Sequence, residues 1–349
     1  MQLFFRKNML WIVFVILFWI IFLFCLIVTI VSLYAFTKMF GRRYDGNPYV
    51  HYFTAEDFEG LRAQPFSFYS DGSKLNGYIY RSDLWQGPSK GIVVFSHGFG
   101  AGHLAYTTEI NYFAKNGYKI LAFDNTGCVK SEGGSIKGFD QGVKDLIAAV
   151  QAVSQSAALG GEKIYLIGHS WGAFSVMNAL PLCKDVCGAV ALCGFIGCAE
   201  IMSQKIFGGF IFARKLSEAV FRLCNRAVFK KKANFNSIRS LKTIERPVLL
   251  LYGMRDNTVL WKYNGKKIFD NLKSNSKIRF MAYPEKGHNV YLTCSAERIM
   301  QKSFGDISKN VKKNKSIAAE AYAAIDYRAI TEEDESVMSE IIDFIKRVK

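Results

Sequence analysis

The pentapeptide Gly168-His169-Ser170-Trp171-Gly172 constrains this chain more than any other stretch. It follows a mostly apolar run, Lys163 to Ile167, and precedes a helix-compatible segment, Ala173 to Leu180. Strand, G-x-S-x-G and helix, in that order, make a turn so tight that the serine is forced into a strained backbone conformation with its hydroxyl raised above a sheet. Glycines two residues on either side keep side chains from colliding with the neighbouring strand and helix. The spacing points to a serine nucleophile; the alternative is a tight strand-to-helix turn with a bystander serine.

The first segment lies outside any such core. From Met9 to Phe36 no residue is charged, and Ile, Phe, Leu and Val dominate. A stretch of about 28 residues exceeds the roughly 20 needed to cross a bilayer. Secretory signals have a shorter apolar region and a small-residue cleavage site, whereas this run ends in Tyr34-Ala35-Phe36. An uncleaved membrane anchor is expected, a cleaved signal is the alternative, and a buried core helix fits less well. Arg6 and Lys7 on one side oppose Lys38, Arg42 and Arg43 on the other, so charge sets no orientation.

The net charge of +16 is spread over the remainder. Beside a membrane anchor it suits anionic headgroups. No nucleic-acid motif accompanies it, so no nucleic-acid partner is expected; a solvated basic surface is the plain alternative. The eight cysteines repeat no spacing and have no histidines at zinc-site intervals. They read as buried thiols, not a disulfide framework, and no metal is expected.

After a polar linker from Gly41 to Phe53, two strands are expected around Asp71-Gly72, at Gln64–Tyr69 and Leu75–Tyr80. Gly91–Phe95 is a short apolar strand of the kind buried on both faces of a parallel sheet. Further strands are read at Lys119–Phe123, before the pentapeptide, and at Gly188–Leu192, Pro247–Tyr252 and Lys277–Tyr283. Helices fall between them, near Leu104–Lys115 and where Val143, Leu146, Ile147 and Val150 share a face. A last helix carries Val337, Ile341, Phe344, Ile345 and Val348, with Thr331 and Asp334 resembling its capping arrangement. Alternation of this kind implies an α/β fold with a mostly parallel sheet and helices on both faces. Two segments break it: Ile201 to about Ser240, crowded with aromatics and cations, and Thr293 to Ile330, read as surface helices without a role.

With the pentapeptide placed, the chain resembles the α/β-hydrolase superfamily, most closely its lysophospholipase, monoacylglycerol-lipase and serine-aminopeptidase-like branch. The likeness runs from about Gln64 to Lys349. Beyond Ser170, four stretches carry it. Ser96-His97-Gly98-Phe99-Gly100 looks like the oxyanion loop, which would make the backbone N–H groups of Phe99 and Trp171 the oxyanion donors. Asp124 to Gly133 keeps the family's Asp, Gly and Ser positions but has Thr126 where arginine is usual, so this loop is read as structural and Cys128 not as a nucleophile. Asp256, on the turn after Leu250-Leu251-Tyr252, stands where this branch keeps its acid; Glu200 is the alternative acid, and an ordinary turn aspartate the plain one. Of five histidines, His288 lies in a glycine-flanked loop after the last strand, where a general base belongs; His51 and His103 have no supporting context.

The resemblance implies a single hydrolase domain over about 60–349 with a small helical cap inserted at about 200–242; the apolar run and polar stretch before it are expected to form an anchor and linker over 1–44. The resemblance also implies a serine hydrolase of acyl esters, with lipid-like substrates and no cofactor; the apolar first segment, which lies outside the resemblance, makes it membrane-bound with the bilayer as partner. The serine argues against the epoxide-hydrolase branch, whose nucleophile is a carboxylate. The alternatives are an aminopeptidase-like enzyme, which would need an acidic pocket for a substrate ammonium, and a non-catalytic scaffold. The inserted segment, with Phe207, Phe210 and Phe212, reads either as a lid suited to a membrane interface or as a cap packed on its own domain.

Overall fold

A computed structural model describes residues 2–348. The chain forms two compact units, Met1–Gly41 with Cys198–Asn234, and Arg42–Gly197 with Phe235–Lys349.

The larger unit holds strands β1 (Leu61–Pro65), β2 (Phe68–Ser70), β3 (Ser73–Leu75), β4 (Gly77–Ser82), β5 (Ile92–Ser96), β6 (Lys119–Phe123), β7 (Ile164–His169), β8 (Val186–Leu192), β9 (Val248–Gly253) and β10 (Ile278–Tyr283). Eight of these form one sheet in the order β1-β4-β6-β5-β7-β8-β9-β10. The run from β6 to β10 is parallel, with β4 and β1 antiparallel at one edge. Strands β5, β7 and β9 are buried throughout, because helices cover both faces and leave no position for a polar outward side chain. Each fully buried Ile, Leu, Val or Phe there contributes about 1.5–3 kcal/mol.

The opening differs from the two strands expected. Asp71 and Gly72 have φ of 46° and 82°, the left-handed pair that a two-residue hairpin turn demands. They close a separate β2–β3 hairpin, while β1 pairs with β4 across it.

Around the sheet lie α2 (Thr107–Lys115), α3 (Phe139–Gln155) and α4 (Trp171–Ala179), which are counted after the N-terminal helix α1 (Gln2–Phe40). Further along this unit come α7 (Ser237–Leu241), α8 (Gly265–Leu272), α9 (Cys294–Lys313), α10 (Ala318–Ala323), α11 (Tyr327–Ile330) and α12 (Glu335–Arg347). The expected face of α12, Val337, Ile341, Phe344, Ile345 and Val348, enters the core. Its cap is Asp334 itself, which accepts from the N–H groups of Ser336 and Val337; Thr331 instead closes α11, its hydroxyl donating to the Tyr327 carbonyl. An aspartate directly before the helix satisfies two otherwise orphaned donors, which a threonine three residues earlier cannot reach.

The stretch after Gly41 is no free linker. Tyr44 pairs with the loop at Cys128, and the Arg43 guanidinium donates to the carbonyls of Val129, Ser131 and Gly133. Such a loop has carbonyls without ladder partners, and one planar fork satisfies three of them.

The smaller unit contains α1, α5 (Cys198–Phe207) and α6 (Ile211–Phe229). One helix in the described chain, Met9–Phe40, is long and apolar enough to cross a membrane, and almost all of its most apolar window is exposed. A helix of that composition standing exposed is not a core helix of the usual kind. Helices α5 and α6 are joined by an ion pair, Arg222 to Glu200 at 2.6 Å, and Lys215 reaches the buried Glu218 at 3.0 Å.

Candidate active site

Strands β5 and β7 are neighbours, and the chain leaves β5 for β6 on one side before returning to β7 on the other. The carboxyl ends of such a pair open a crevice where parallel α/β sheets bind ligands. Ser96 and Gly168 are paired in register there, so the loops after them, His97–Gly100 and His169–Gly172, leave the sheet side by side.

Ser170 has φ 56° and ψ −111°, a backbone state that costs a non-glycine residue about 1–3 kcal/mol. The surroundings hold it there. Its N–H donates to the Leu192 carbonyl at 2.8 Å, and its carbonyl accepts from Phe174 at 3.0 Å. The two glycines are sterically required: a Cβ added at Gly172 would lie 1.8 Å from the Ser96 carbonyl oxygen, and one at Gly168 would lie 2.5 Å from the Gly172 backbone. Close approach also sets Trp171 beside the β5 loop, where its ring and that of Phe99 are 6.2 Å apart. The Trp171 indole is fully buried and donates to the Phe139 carbonyl at 2.8 Å.

His288 and Asp256 meet, with Nδ1 and Oδ2 2.7 Å apart. The other carboxylate oxygen of the buried Asp256 accepts from the N–H groups of Thr258 and Val259 at 2.7 and 2.8 Å. An ionised carboxylate only accepts, so Nδ1 carries the proton and Nε2 is left able to take one. Glu200 lies on α5, paired with Arg222.

Three residues that sequence reasoning passed over or left without a role hold this loop. Glu297, buried on α9, accepts from the N–H groups of Gly287 and Asn289 at 3.0 and 2.9 Å, gripping the chain on both sides of His288. His169 Nε2–H donates to the His288 carbonyl at 3.0 Å, and His169 Nδ1 accepts from the Tyr106 hydroxyl at 2.8 Å. Tyr106 in turn accepts from the Gly98 N–H at 3.0 Å. One chain of hydrogen bonds thus joins the β5 loop, the residue preceding Ser170 and the backbone of His288. Burial, with the nearby His288, holds the His169 pKa well below its usual value, so the ring is neutral and its two nitrogens differ in role.

The other histidines have their own partners. His103 makes a second, buried pair with Asp124 at 2.7 Å, backed by the Tyr80 hydroxyl at 3.1 Å, so the context missing from the sequence is supplied from β4 and the loop after β6. His97 accepts from the Asn125 N–H at 3.0 Å and donates to the Gly98 carbonyl at 2.7 Å. His51 is exposed, 3.9 Å from Asp57. Burial beside Asp124 and Asp145 pushes the Cys128 thiol far up, away from the nucleophilic thiolate. Cys193 Sγ lies within 4.8 Å of ligand atoms of Asp256 and His288. Those two side chains are hydrogen-bonded to each other, and burial, with Asp256 nearby, pushes the Cys193 thiol well up as well.

The pattern of the serine aminopeptidase, S33, family matches residues 87–240, which spans the β5 loop, the strand-to-helix turn at Ser170 (the elbow) and the insertion. The chain thus has the α/β-hydrolase fold and resembles the serine-aminopeptidase-like branch. Epoxide hydrolase B of Mycobacterium tuberculosis is 30% identical over 119 residues, 34% of this chain, and the match spans about a third of that relative, 32% of its length. Among solved structures, an esterase of Pyrococcus furiosus aligns with a TM-score of 0.55 at 19% identity, over 78% of this chain and 98% of the esterase. Est1E of Butyrivibrio proteoclasticus aligns with a TM-score of 0.50 at 17% identity, over 71% of this chain and all of Est1E, 100%.

Proposed function

We propose that this hydrolase is a membrane-anchored serine hydrolase of acyl esters with lipid-like acyl chains. The observation that carries the reading is the His288–Asp256 pair, fastened through His169 to the strained turn that presents Ser170. In this scheme Ser170 Oγ attacks the acyl carbonyl while His288 Nε2 takes its proton. Asp256 stabilises the imidazolium, and the N–H groups of Phe99 and Trp171 meet the charge on the carbonyl oxygen. His288 then protonates the departing alcohol, and water, deprotonated by the same ring, releases the acid and restores Ser170. The likeness to an epoxide hydrolase does not redirect the chemistry, because the elbow holds a hydroxyl and not a carboxylate.

Ester preference is supported by the basic and apolar character of the insertion, which offers little to a substrate ammonium. The family's description as an aminopeptidase sustains a second reading, in which small peptides are cleaved at their N-terminus. Long acyl chains are assigned to the insertion, where Phe210 and Phe212 are exposed. Assay of the full-length protein on p-nitrophenyl esters of rising chain length, beside aminoacyl-anilides, tests both readings. Replacing Phe207, Phe210 and Phe212 with serine is expected to depress long-chain hydrolysis far more than acetyl-ester hydrolysis. Equal losses would assign the aromatics to folding, and preferred cleavage of the anilides would replace the ester reading.

The anchor is expected to keep the protein in the membrane fraction through alkaline carbonate washing, since a span of this length inserts irreversibly on that timescale. Release of intact protein into the wash would mean peripheral attachment.

A further inference from the structure

Burial along α1 changes character at one point. From Met9 to Leu23 every residue is exposed; beyond it Phe24, Val28, Ser32, Phe36 and Phe40, spaced four apart, form a half-buried to buried stripe. Residues four apart share one helix face, and α6 lies along this one. The Phe24 and Phe210 rings are 5.6 Å apart, Ser32 Oγ donates to Ser217 Oγ at 2.8 Å, and the Phe36 and Phe221 rings are 6.1 Å apart. Numbers rise together on both helices, so α1 and α6 run parallel.

That pairing turns α1 into a ruler. At 1.5 Å per residue, Met9 to Leu23 covers about 22 Å, too short for a hydrocarbon core of about 30 Å. A span starting at Met9, just past Arg6 and Lys7, leaves the core near residue 29. Phe24 and its partner Phe210 then lie about 8 Å inside the acyl region on the exit side. Ser32 with Ser217 lies about 34 Å along, at the headgroup boundary, where a hydroxyl pair is no longer in hydrocarbon.

The side chains of the α5–α6 tip agree with these depths. Gly208 and Gly209 form a bare turn, and Phe210, Ile211 and Phe212 stand 54%, 52% and 74% exposed. Charge on α6 begins only at Arg214 and Lys215, one turn further toward the boundary. An apolar tip followed by cations is what a helix end dipping into a leaflet requires.

We propose that the Phe207–Phe212 tip inserts into the acyl region of the leaflet through which α1 leaves the membrane, its partner being lipid chains. The inference rests on α1 being a span. It makes α1 a structural element of the insertion, one helix of a wedge whose other arm re-enters the bilayer.

The test uses the full-length protein reconstituted in phosphatidylcholine vesicles with brominated or ordinary acyl chains. Trp11→Phe/Trp19→Phe/Phe212→Trp reports the tip, the same protein with Phe212 retained supplies the background of Trp85, Trp171 and Trp261, and Trp11→Phe alone reports the anchor through Trp19. Because position 212 is exposed, the introduced indole displaces no packed neighbour. Expected is a blue-shifted emission from the tip probe, lost in the brominated vesicles, with Trp19 emission lost in parallel. Quenching of Trp19 without quenching of the tip probe overturns the proposal and leaves the anchor standing; a blue shift at the tip without quenching overturns it in favour of a protein contact there. Quenching of the tip probe without Trp19 overturns the ruler, and quenching of neither overturns both the tip and the span.

Discussion

Replacing Ser170 with alanine is expected to abolish covalent labelling by a fluorophosphonate probe and to lower kcat on any accepted ester by about 10⁶-fold, the loss seen when the serine of another serine hydrolase is removed. The substitution takes away one hydroxyl and nothing else. The strained turn survives, because the main-chain bonds to Leu192 and Phe174 and the contact of Gly172 against Ser96 do not involve the side chain. Thermal unfolding should therefore stay within a degree or two of the parent, a shift below about 1 kcal/mol for a chain of this size. Ser170→Gly should also be inactive yet more stable, by about 1 kcal/mol, since glycine meets φ 56° without strain. Stoichiometric labelling of Ser170→Ala would reject this residue as the nucleophile, and a Ser170→Gly protein less stable than the parent would reject the strain.

What was legible in the sequence was whatever local chemistry dictates. Buried strands such as Ile92–Ser96 announce themselves because both faces must be apolar, and the elbow does so because only glycine tolerates a carbonyl at the position of its Cβ. Asp256 and His288 were singled out by the resemblance, each on a loop after a recognisable strand, and the structure brings their Oδ2 and Nδ1 to 2.7 Å. The rest depended on distant partners. Nothing near Glu297 marks it as the acceptor for two N–H groups ten and eight residues earlier, and Tyr106 looks like any aromatic of an amphipathic helix until Gly98 and His169 close on its hydroxyl. The stretch after Gly41 is polar and Asn-Pro-containing, like a linker, but Arg43 finds three carbonyls about ninety residues away. The stripe of α1, five residues spaced four apart, is invisible in composition, since Phe24 and Phe36 are as apolar as their exposed neighbours and only Ser32 differs.

Asp256→Asn isolates the proton chemistry from the fold. Oδ1 of the asparagine can still accept from Thr258 and Val259, so the turn keeps both of its bonds. Its amide must then face His288 Nδ1, 2.7 Å away in the parent. An amide N–H donates, so Nδ1 becomes the acceptor and the ring proton moves to Nε2. A ring protonated there cannot take the proton of Ser170. The expected loss in kcat is about 10⁴-fold, the size measured for the equivalent change in a serine protease, or about 5.5 kcal/mol of transition-state stabilisation. KM should change little, because Asp256 is buried behind His288 and is not placed to touch substrate. Glu200→Gln, which loses only a partly exposed ion pair with Arg222, should cost less than about threefold in kcat and about 0.2–1 kcal/mol in stability. The opposite pattern, a collapse of kcat in Glu200→Gln and near-parent turnover in Asp256→Asn, would move the acid to Glu200 and leave the 2.7 Å contact at His288 without a catalytic role.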